Sequence, residues 1–313
     1  MPCRRLQWHR PSLTIEIDDL TITFKGGRTV EQTFLAPSET APFANIFQAV
    51  QHQHPLVDCI TNIVTVNDMA NGLLAIDARP VMASAPEEIT YFVARADALL
   101  LNLGATGSEQ REAMLRGAAE ANRLGKPVVI DPVGVGTSPL RRDTLAQLLA
   151  ECQIACIRGN ISEIKALAGL STDAGGVDAS EADLEDRRAF TLAAGMAKNL
   201  AAIHNTVIAI SGPRDIISDG RTTYVVNGGN AMMTRVTGSG CTLTGLVAAF
   251  AAVAPADPLR AATAAIALMC RAGDRALAKV GYHATASFHT AMFDALSAIT
   301  PQELGASLRL ERL

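Results

Sequence analysis

The sequence predicts an α/β protein, a doubly wound and mainly parallel β-sheet with helices on both faces. Short apolar segments alternate with helix-like segments through most of the 313 residues, which is typical of repeated βαβ units. Apolar residues make up 49% of the chain and aromatic residues only 4%. The core must therefore be filled by Ala, Leu, Ile and Val, as is usual when helices pack on a parallel sheet.

The first 38 residues differ from the rest of the chain. Residues 14–24 alternate apolar and polar side chains with a period of two, and Gly26-Gly27 offers a turn. This pattern predicts either a small hairpin or a disordered leader, and both readings stay open. Regular alternation begins near Phe43. We therefore predict an N-terminal extension over residues 1–38 and a single domain over residues 39–313.

The elements of the predicted domain follow in order along the chain. Apolar runs predict strands over residues 98–102, 128–131, 154–157 and 206–211, and residues 215–226 read as a hairpin at a sheet edge, turning at Asp219-Gly220. The first helix pattern starts after a candidate N-cap, Ser108, and is closed by Gly125. Residues 171–184 form the clearest internal loop, and helices are predicted over residues 241–254, 257–280 and 286–298.

Charge and cysteine usage restrict the partners and the compartment. The formal net charge is −4 and no basic tract follows Arg4-Arg5, which argues against nucleic acid or an anionic membrane as the main partner. The apolar segment 243–254 is shorter than the roughly 20 residues that a membrane span requires. Six cysteines occur without a C-x-x-C pair, and no apolar segment of a secretory signal follows the two arginines. We expect free thiols and a cytoplasmic location.

Chemically capable residues lie where the predicted strands end. In an open α/β sheet, ligands bind outside the carboxyl ends of the strands. The residues found there are a carboxylate, an arginine with an amide and a second carboxylate, a hydroxyl and a glycine turn: Asp131, Arg158, Asn160, Glu163, Ser211 and Gly238-Ser239-Gly240. This set suits a nucleoside triphosphate with Mg²⁺. Taken singly, Asp131 could be a helix N-cap, Arg158 could pair with Glu163 at the surface, and the glycines could belong to an ordinary turn.

Cys241 follows the glycine turn at the start of a helix. It could be a nucleophile, a metal ligand, a base or a small buried residue. A nucleophilic cysteine normally needs a nearby histidine, and none of the six histidines lies at a predicted strand end. Metal-ligand partners are not evident either. A helix N-terminus lowers the pKa of a thiol, so we expect Cys241 to be a base or a group that orients a hydroxyl.

From about Phe43 to Leu304 the chain resembles the hydroxyethylthiazole kinases, which have the ribokinase-like fold. The resemblance rests on motifs that occur in the family's order: residues 55–62, Asn67 with residues 70–75 and 79–83, residues 131–136, residues 157–160 with Glu163, residues 176–179 and residues 236–241. Most ribokinase-like enzymes have an aspartate at the end of the glycine turn, whereas the thiazole kinases that this chain resembles have a cysteine there.

The resemblance implies ATP- and Mg²⁺-dependent phosphorylation of the hydroxyl of 4-methyl-5-(2-hydroxyethyl)thiazole, for thiamine synthesis or salvage. It implies a catalytic turn of Gly238, Ser239, Gly240 and Cys241. It also implies contacts to the alcohol from Met82, Gly238 and Asn62, contacts to ATP from Arg158, Ser211 and Asn160, and Mg²⁺ organised by Asp131 and Glu163. The family lacks the lid of the sugar kinases and assembles as trimers with substrate pockets at subunit interfaces.

The chain departs from the family pattern at three places. Ser211 stands where threonine is commoner, and its hydroxyl can still donate. Asp77 replaces a usual glycine, and aspartate tolerates a left-handed turn better than most residues. Residues 284–288 replace a glycine- and proline-containing run, which puts the local loop geometry in question. Two other functions stay open: a kinase for another small alcohol such as hydroxymethylpyrimidine, and a non-catalytic sensor of thiazole or nucleotide.

Overall fold

Nine strands form one sheet in the part of the chain that the computed structural model describes, residues 34–105, 107–170 and 187–313. The order across the sheet is β2-β1-β3-β4-β5-β6-β7-β8-β9, with parallel pairing from β2 to β6 and antiparallel pairing from β6 to β9. The strands are β1 Leu56–Ile60, β2 Arg79–Val81, β3 Ala98–Asn102, β4 Val128–Asp131, β5 Cys156–Asn160, β6 Val207–Ser211, β7 Asp215–Ser218, β8 Thr223–Val226 and β9 Leu310–Arg312.

Helices cover both faces of this sheet, as predicted. They are α1 Pro37–Gln53, α2 Val66–Ala75, α3 Ile89–Val93, α4 Ser108–Arg123, α5 Pro139–Glu151, α6 Ile161–Leu167, α7 Arg187–His204, α8 Ser239–Val253, α9 Pro258–Val280, α10 Thr285–Ala298 and α11 Pro301–Ser307, with a short 3₁₀ helix at Ala231–Arg235. One hydrophobic cluster takes side chains from α1, α2 and α8–α11, and a second takes them from α3–α7. Alternate residues of β4 join the two clusters, because successive side chains of a strand point to opposite faces.

The strand order reverses between β1 and β3. The chain passes from β1 outward to β2, then returns across to β3 and continues through β4, β5 and β6. Parallel strands on either side of such a reversal leave a crevice at their carboxyl ends, and ligands bind there in open α/β sheets. The helix that follows the glycine turn, α8, contacts β1, β3 and β4 beneath this crevice.

Most predicted elements are confirmed within one or two residues, and the ends of two of them are corrected. The third predicted strand starts at Cys156 rather than Ile154 and continues to Asn160, because residues 156–160 pair in register with residues 207–211 of β6. Ser108 is the first residue of α4, and the N-cap position is taken by Gly107.

The hairpin β7–β8 is confirmed, but it does not form the edge of the sheet. The C-terminal strand β9 pairs antiparallel with β8, placing Leu310 opposite Val226. Three residues are too few for a period-two pattern, so the sequence did not indicate this strand. The opposite edge is β2, which is equally short.

Helix α1 belongs to the core beneath the sheet. Its buried residues Phe43, Phe47 and Val50 recur at helical spacing, and Phe47 stacks on Phe250 of α8 with ring centroids 5.7 Å apart. The helix begins at Pro37, two residues before the predicted domain boundary. Of the extension predicted over residues 1–38 as a hairpin or leader, residues 1–33 lie outside the described residues, as do the loop over 171–184 and the motif over 176–179.

Two turns adopt the backbone that their residues predict. Gly125 closes α4 with a φ of +67°, and Asp77 follows α2 with a φ of +65°. The aspartate at position 77 therefore takes the left-handed conformation, as expected for this departure from glycine. Among the described helices, none is both long enough and apolar enough to cross a membrane.

Candidate active site

The glycine turn sits at the N-terminus of α8 and presents backbone rather than side chains. Gly238 caps the helix with a φ of +81°, and the amide of Thr242 donates to its carbonyl at 2.8 Å. The Ser239 hydroxyl donates to the carbonyl of Met233 at 3.0 Å. The first amides of a helix have no carbonyl partner within it, and the helix dipole makes this end positive. The turn is thus built to receive an anion such as a phosphate.

Close packing explains why two residues of the turn are glycines. A Cβ atom on Gly238 would lie 2.9 Å from Cγ2 of Thr65, and its positive φ also disfavours any other residue. A Cβ atom on Gly240 would lie 2.8 Å from Nη1 of Arg158. The guanidinium therefore lies directly against the backbone of the turn. This contact joins β5 to the start of α8.

Cys241 is surrounded by polar groups from three strand ends. Nδ2 of Asn62 lies 3.6 Å from its Sγ and donates as well to Oδ1 of Asn102 at 3.3 Å. Burial and the negative charge of Asp131 raise the pKa of the Cys241 thiol to about 11, although Asn102, Arg158 and Thr65 act in the opposite direction. This raised pKa is opposite to the expectation that the helix N-terminus lowers it, because burial penalises the charged thiolate. At neutral pH, Cys241 is a neutral thiol.

Asp131 ends β4 as a buried carboxylate. Its Oδ2 accepts hydrogen bonds from Oγ1 of Thr244 at 2.9 Å and from Nδ2 of Asn102 at 3.2 Å. Nη1 of Arg158 lies 4.0 Å from the same oxygen. Its Oδ1 is buried and has no hydrogen-bond partner among the described residues. Burial raises the pKa of Asp131, and the nearby Arg158 charge, Thr244 and Cys241 limit that rise. The free oxygen is the unused acceptor that a cation or its water would satisfy.

Glu163 closes the start of α6 in a capping box. Its Oε2 accepts the amide of Asn160 at 2.9 Å, its Oε1 accepts the amide of Gly134 at 3.2 Å, and its own amide donates to Oδ1 of Asn160. Burial and the charge of Asp131 raise the pKa of Glu163 to about 7, against the effect of these amides and of Arg158. Asp131 and Glu163 therefore lie near enough to repel one another.

The two carboxylates fit a Mg²⁺ site that is completed by a nucleotide. Mg²⁺ is commonly bound by one or two carboxylates together with substrate phosphates and water. Among the described residues, the buried Oδ1 of Asp131 has no hydrogen-bond partner, and each oxygen of Glu163 accepts one backbone amide, which leaves it a further lone pair. Among the described residues, no group of three or more His, Cys, Asp and Glu side chains could hold a metal ion alone. A metal here would therefore depend on oxygens from the nucleotide and from water.

A cavity of ≈ 700 Å³ opens beside the glycine turn. Arg158, Asn160 and Ser211 line it together with Ser239 and Gly240 of the turn. Nε of Arg158 donates to Oγ of Ser211 at 2.8 Å, and Asn160 pairs with Ser211 across β5 and β6. Away from the turn, the lining includes the sulfur-containing side chains of Met233, Met269 and Cys270. The cavity thus has a cationic end at the turn and a less polar wall elsewhere, as a nucleotide requires.

Asp215 is a buried carboxylate in the wall of this cavity. Its oxygens accept hydrogen bonds from the amide of Gly212 at 3.1 Å and the thiol of Cys270 at 3.2 Å. Burial raises the pKa of Asp215 from 3.8 to about 6, while Cys270, Gly212 and Arg158 limit the rise. The folded protein therefore holds this proton more tightly than the unfolded chain does.

Asp215 should make folding less favourable as the pH rises from about 4 to about 6. A carboxyl group with a raised pKa contributes stability that is complete below its unfolded pKa and is lost as the pH rises through its folded pKa. We expect the free energy of unfolding of the wild type, minus that of Asp215→Asn, to fall by roughly 2–3 kcal/mol between pH 4 and pH 7. Urea titrations across this range measure it. A difference that does not change with pH would contradict the prediction.

The structure brings most of the predicted site residues together. Asn62, Asp131, Arg158 and Cys241 form one cluster around the start of α8. Glu163, Asn160 and Ser211 adjoin it through Asp131 and Arg158. Met82 follows the edge strand β2, lies half-buried against the core, and takes no part in this hydrogen-bond network.

Sequence reasoning missed the two side chains that donate hydrogen bonds to Asp131. Asn102 links Asn62 to Asp131, and Thr244 donates to Asp131 from one turn inside α8. Asn102 is the last residue of a predicted strand, so the strand-end rule that selected Asp131 also applies to it. Thr244 carries no comparable signal, because a threonine within an apolar helix is ordinarily a packing residue.

Comparison with known proteins shows one family over most of the chain. The model of the hydroxyethylthiazole kinase family matches residues 47–302. Hydroxyethylthiazole kinase of Methanobrevibacter smithii is 42% identical over 267 residues, which are 83% of this chain and 92% of the relative. The enzyme of that name from Thermoanaerobacter pseudethanolicus is 41% identical over 266 residues, 85% of this chain and 98% of the relative.

Solved structures show the same fold. The structure of a hydroxyethylthiazole kinase protein from Pyrococcus horikoshii OT3 has a TM-score of 0.77 and 34% identity, covering 87% of this chain and 98% of its own. A ribokinase-like superfamily protein of Enterococcus faecalis V583 has a TM-score of 0.53 and 16% identity, covering 84% and 96%. The second likeness concerns the fold alone, and it agrees with the predicted ribokinase-like architecture.

Proposed function

Because the chain belongs to the hydroxyethylthiazole kinase family, we propose that it transfers the terminal phosphoryl group of ATP to the hydroxyl of hydroxyethylthiazole. One observation supports this most directly. The glycine turn, Arg158, Asp131 and the thiol of Cys241 converge at the carboxyl edge of the sheet, beside a cavity large enough for a nucleotide. These groups combine an anion-binding helix end, a cation and a neutral hydrogen-bonding group.

The nucleotide phosphates would bind at the cationic end of the cavity. Arg158 is held between Ser211 and the backbone of Gly240, so its guanidinium is oriented before ATP binds. The first amides of α8 would take the oxygens of the transferring phosphoryl group. Mg²⁺ held through Asp131 and Glu163 would supply positive charge to the β- and γ-phosphate oxygens.

In the transfer itself, the alcohol oxygen forms a bond to the terminal phosphorus. The bond from that phosphorus to the bridging oxygen breaks, ADP leaves with its electron pair, and the hydroxyl proton is lost. Phosphoryl transfer passes through a loose transition state, so catalysis consists mainly of positioning and electrostatic stabilisation. A thiol with a pKa of about 11 is a poor proton acceptor at neutral pH. We therefore assign Cys241 the role of orienting the alcohol. The proton of the alcohol passes to phosphate or solvent.

The acceptor specificity can be tested by measuring ADP formation with hydroxyethylthiazole, hydroxymethylpyrimidine and ribose at saturating Mg²⁺ and ATP. We expect turnover with the thiazole alcohol and at least a hundredfold lower kcat/KM with the other two, because differential transition-state binding separates such acceptors. Turnover with another acceptor would still show a kinase, but one with a different substrate from the one proposed. Tight binding of thiazole or ATP without turnover would favour a sensor.

Assembly as a homotrimer, with substrate pockets between subunits, is part of the same proposal. Two apolar side chains next to Asn62 support it, because Ile63 is 90% exposed and Val64 is 67% exposed. Both lie in the connection between β1 and α2, beside the cluster around Cys241. Exposed apolar residues at a site are typical of surfaces that a partner covers. Light scattering of the full chain measures the subunit number.

We further propose that the enzyme acts in the cytoplasm. The five cysteines that the structure describes are free thiols, and three of them are buried. Free thiols persist where the redox environment is reducing. ATP is available as a co-substrate in the same compartment.

A further inference from the structure

A buried carboxylate lies outside the catalytic cluster, in the middle of β1. Asp58 has 0% exposure, and the cluster around Cys241 does not use it. We propose that Asp58 is a positioning residue for the acceptor alcohol. Its carboxylate binds the backbone amide of Ala83 and thereby fixes the segment 81–83, which includes Met82. This inference rests on the proposed function, because only there does Met82 contact the alcohol.

The contact replaces a missing bond of the sheet. The edge strand β2 pairs with β1 over three residues only, and the last pair is Asp58 with Val81. Beyond that pair the chain leaves the sheet, and Oδ1 of Asp58 accepts the amide of Ala83 at 3.2 Å. The Asp58 side chain therefore binds the segment to β1 two residues beyond the last paired residue, Val81. Met82 lies between the last paired residue and the one that Asp58 holds.

The environment of Asp58 makes this hydrogen bond hard to replace. Ala83 is itself only 5% exposed, so bulk water can do little to satisfy its amide if the carboxylate is removed. Leaving a buried backbone donor without a partner is costly, and the segment would shift to find one. A three-residue edge strand offers little resistance to such a shift, because few ladder bonds hold it. Met82 would move with it.

The protonation of Asp58 determines which variant mimics it. Its Oδ2 is buried and has no hydrogen-bond partner among the described residues. Burial raises the pKa of Asp58 to about 7, with the charge of Glu88 acting in the same direction and the amides of Ala83 and Cys59 opposing it. Asparagine retains the acceptor oxygen and is neutral, as the protonated acid is. Valine retains the branched shape that suits a strand but has no acceptor.

Steady-state kinetics of the full chain test the proposal, with ATP and the thiazole alcohol varied separately. We expect Asp58→Val to raise the KM for the alcohol about tenfold, the order expected when a buried donor is left unpaired. Its kcat and its KM for ATP should stay within about twofold of the wild type. Asp58→Asn should keep all three constants within about twofold, because it keeps the bond to Ala83.

Leu99→Val is the matched control. Leu99 pairs with Asp58 across β1 and β3, belongs to the same buried cluster as Ala83, and lies on the side of β1 away from β2. It should lower Tm without changing the KM for the alcohol. An unchanged KM in Asp58→Val would overturn the proposal. So would a fall in kcat together with a rise in both KM values, since that pattern indicates general damage to the fold.

Hydrogen exchange provides a readout that does not depend on turnover. The amide of Ala83 should exchange faster in Asp58→Val than in the wild type and Asp58→Asn. Equal protection in all three proteins would show that Asp58 does not fix the segment 81–83. If the wild type does not phosphorylate the alcohol, the proposed function fails, and the role in positioning the acceptor fails with it. Turnover by the wild type with an unchanged KM in Asp58→Val refutes the role of Asp58 alone.

Discussion

Replacing Cys241 with alanine should lower kcat by roughly 10²-fold, the order of loss expected when a reacting hydroxyl is no longer held in its productive orientation. The thiol lies against the amide of Asn62 at the start of α8, where the alcohol must approach the phosphoryl group. Alanine removes the group that orients the hydroxyl and leaves the anion-binding backbone in place. We therefore expect the KM for ATP to change little.

Two further variants separate orientation from base catalysis and from packing. Cys241→Ser retains a hydrogen-bonding group and should keep more activity than the alanine variant. Cys152→Ala removes a partly exposed thiol at the end of α5, remote from the strand ends that form the site, and should leave kcat unchanged. An undiminished kcat in Cys241→Ala would reduce Cys241 to a packing residue. A serine variant as slow as the alanine variant would mean that the sulfur atom itself is required.

The sequence predicted the fold well because the fold is repetitive. Short apolar strands alternating with helices leave few topologies, and residues 98–102 and 128–131 form the predicted strands. The errors concern strand ends, because pairing with a neighbouring strand determines where a strand ends and the local sequence pattern does not. The strand at Cys156 extends to Asn160 because β6 pairs with it along its whole length, and β9 exists only because β8 offers it an edge.

The sequence predicted which residues form the candidate site, but it did not predict the pKa values of those residues. Asp131, Arg158 and Cys241 were found because strand ends and a glycine turn converge in any open α/β sheet. The pKa of Cys241 was predicted in the wrong direction, since a sequence shows that a thiol starts a helix but not that it is desolvated beside a carboxylate. Asp58 carried no signal either, because a single acidic residue within an apolar strand does not reveal what it holds.

Replacing Asp131 with asparagine should lower kcat by about 10³-fold and raise the Mg²⁺ concentration for half-maximal rate more than tenfold. Oδ2 of Asp131 is already engaged by Thr244 and Asn102, while Oδ1 is free among the described residues. In the variant, the amide oxygen must keep the two donors, so the NH₂ group occupies the free position. The substitution therefore removes both the negative charge and the acceptor oxygen that a cation would need.

Glu163→Gln should raise the Mg²⁺ requirement by about tenfold, a smaller change than that of Asp131→Asn. Both of its oxygens accept backbone amides, so a glutamine must turn its NH₂ group toward one of these donors and weaken the start of α6. Glu39→Gln is the matched control, because Glu39 makes the same capping bond to the amide of Ala36 at the start of α1. It should lower Tm without changing the Mg²⁺ requirement.

A binding measurement separates metal binding from damage to the helix cap. In the presence of ADP, added Mg²⁺ should raise the Tm of the wild type through linkage, and both carboxylate variants should need more Mg²⁺ for half of that rise. If the Glu163→Gln titration overlays that of the wild type, Glu163 serves only to close α6. Asp131 would then be the only carboxylate of the pair that organises the metal. If the Asp131→Asn titration also overlays it, the unpaired Oδ1 does not serve a cation, and the metal must be bound by the nucleotide alone.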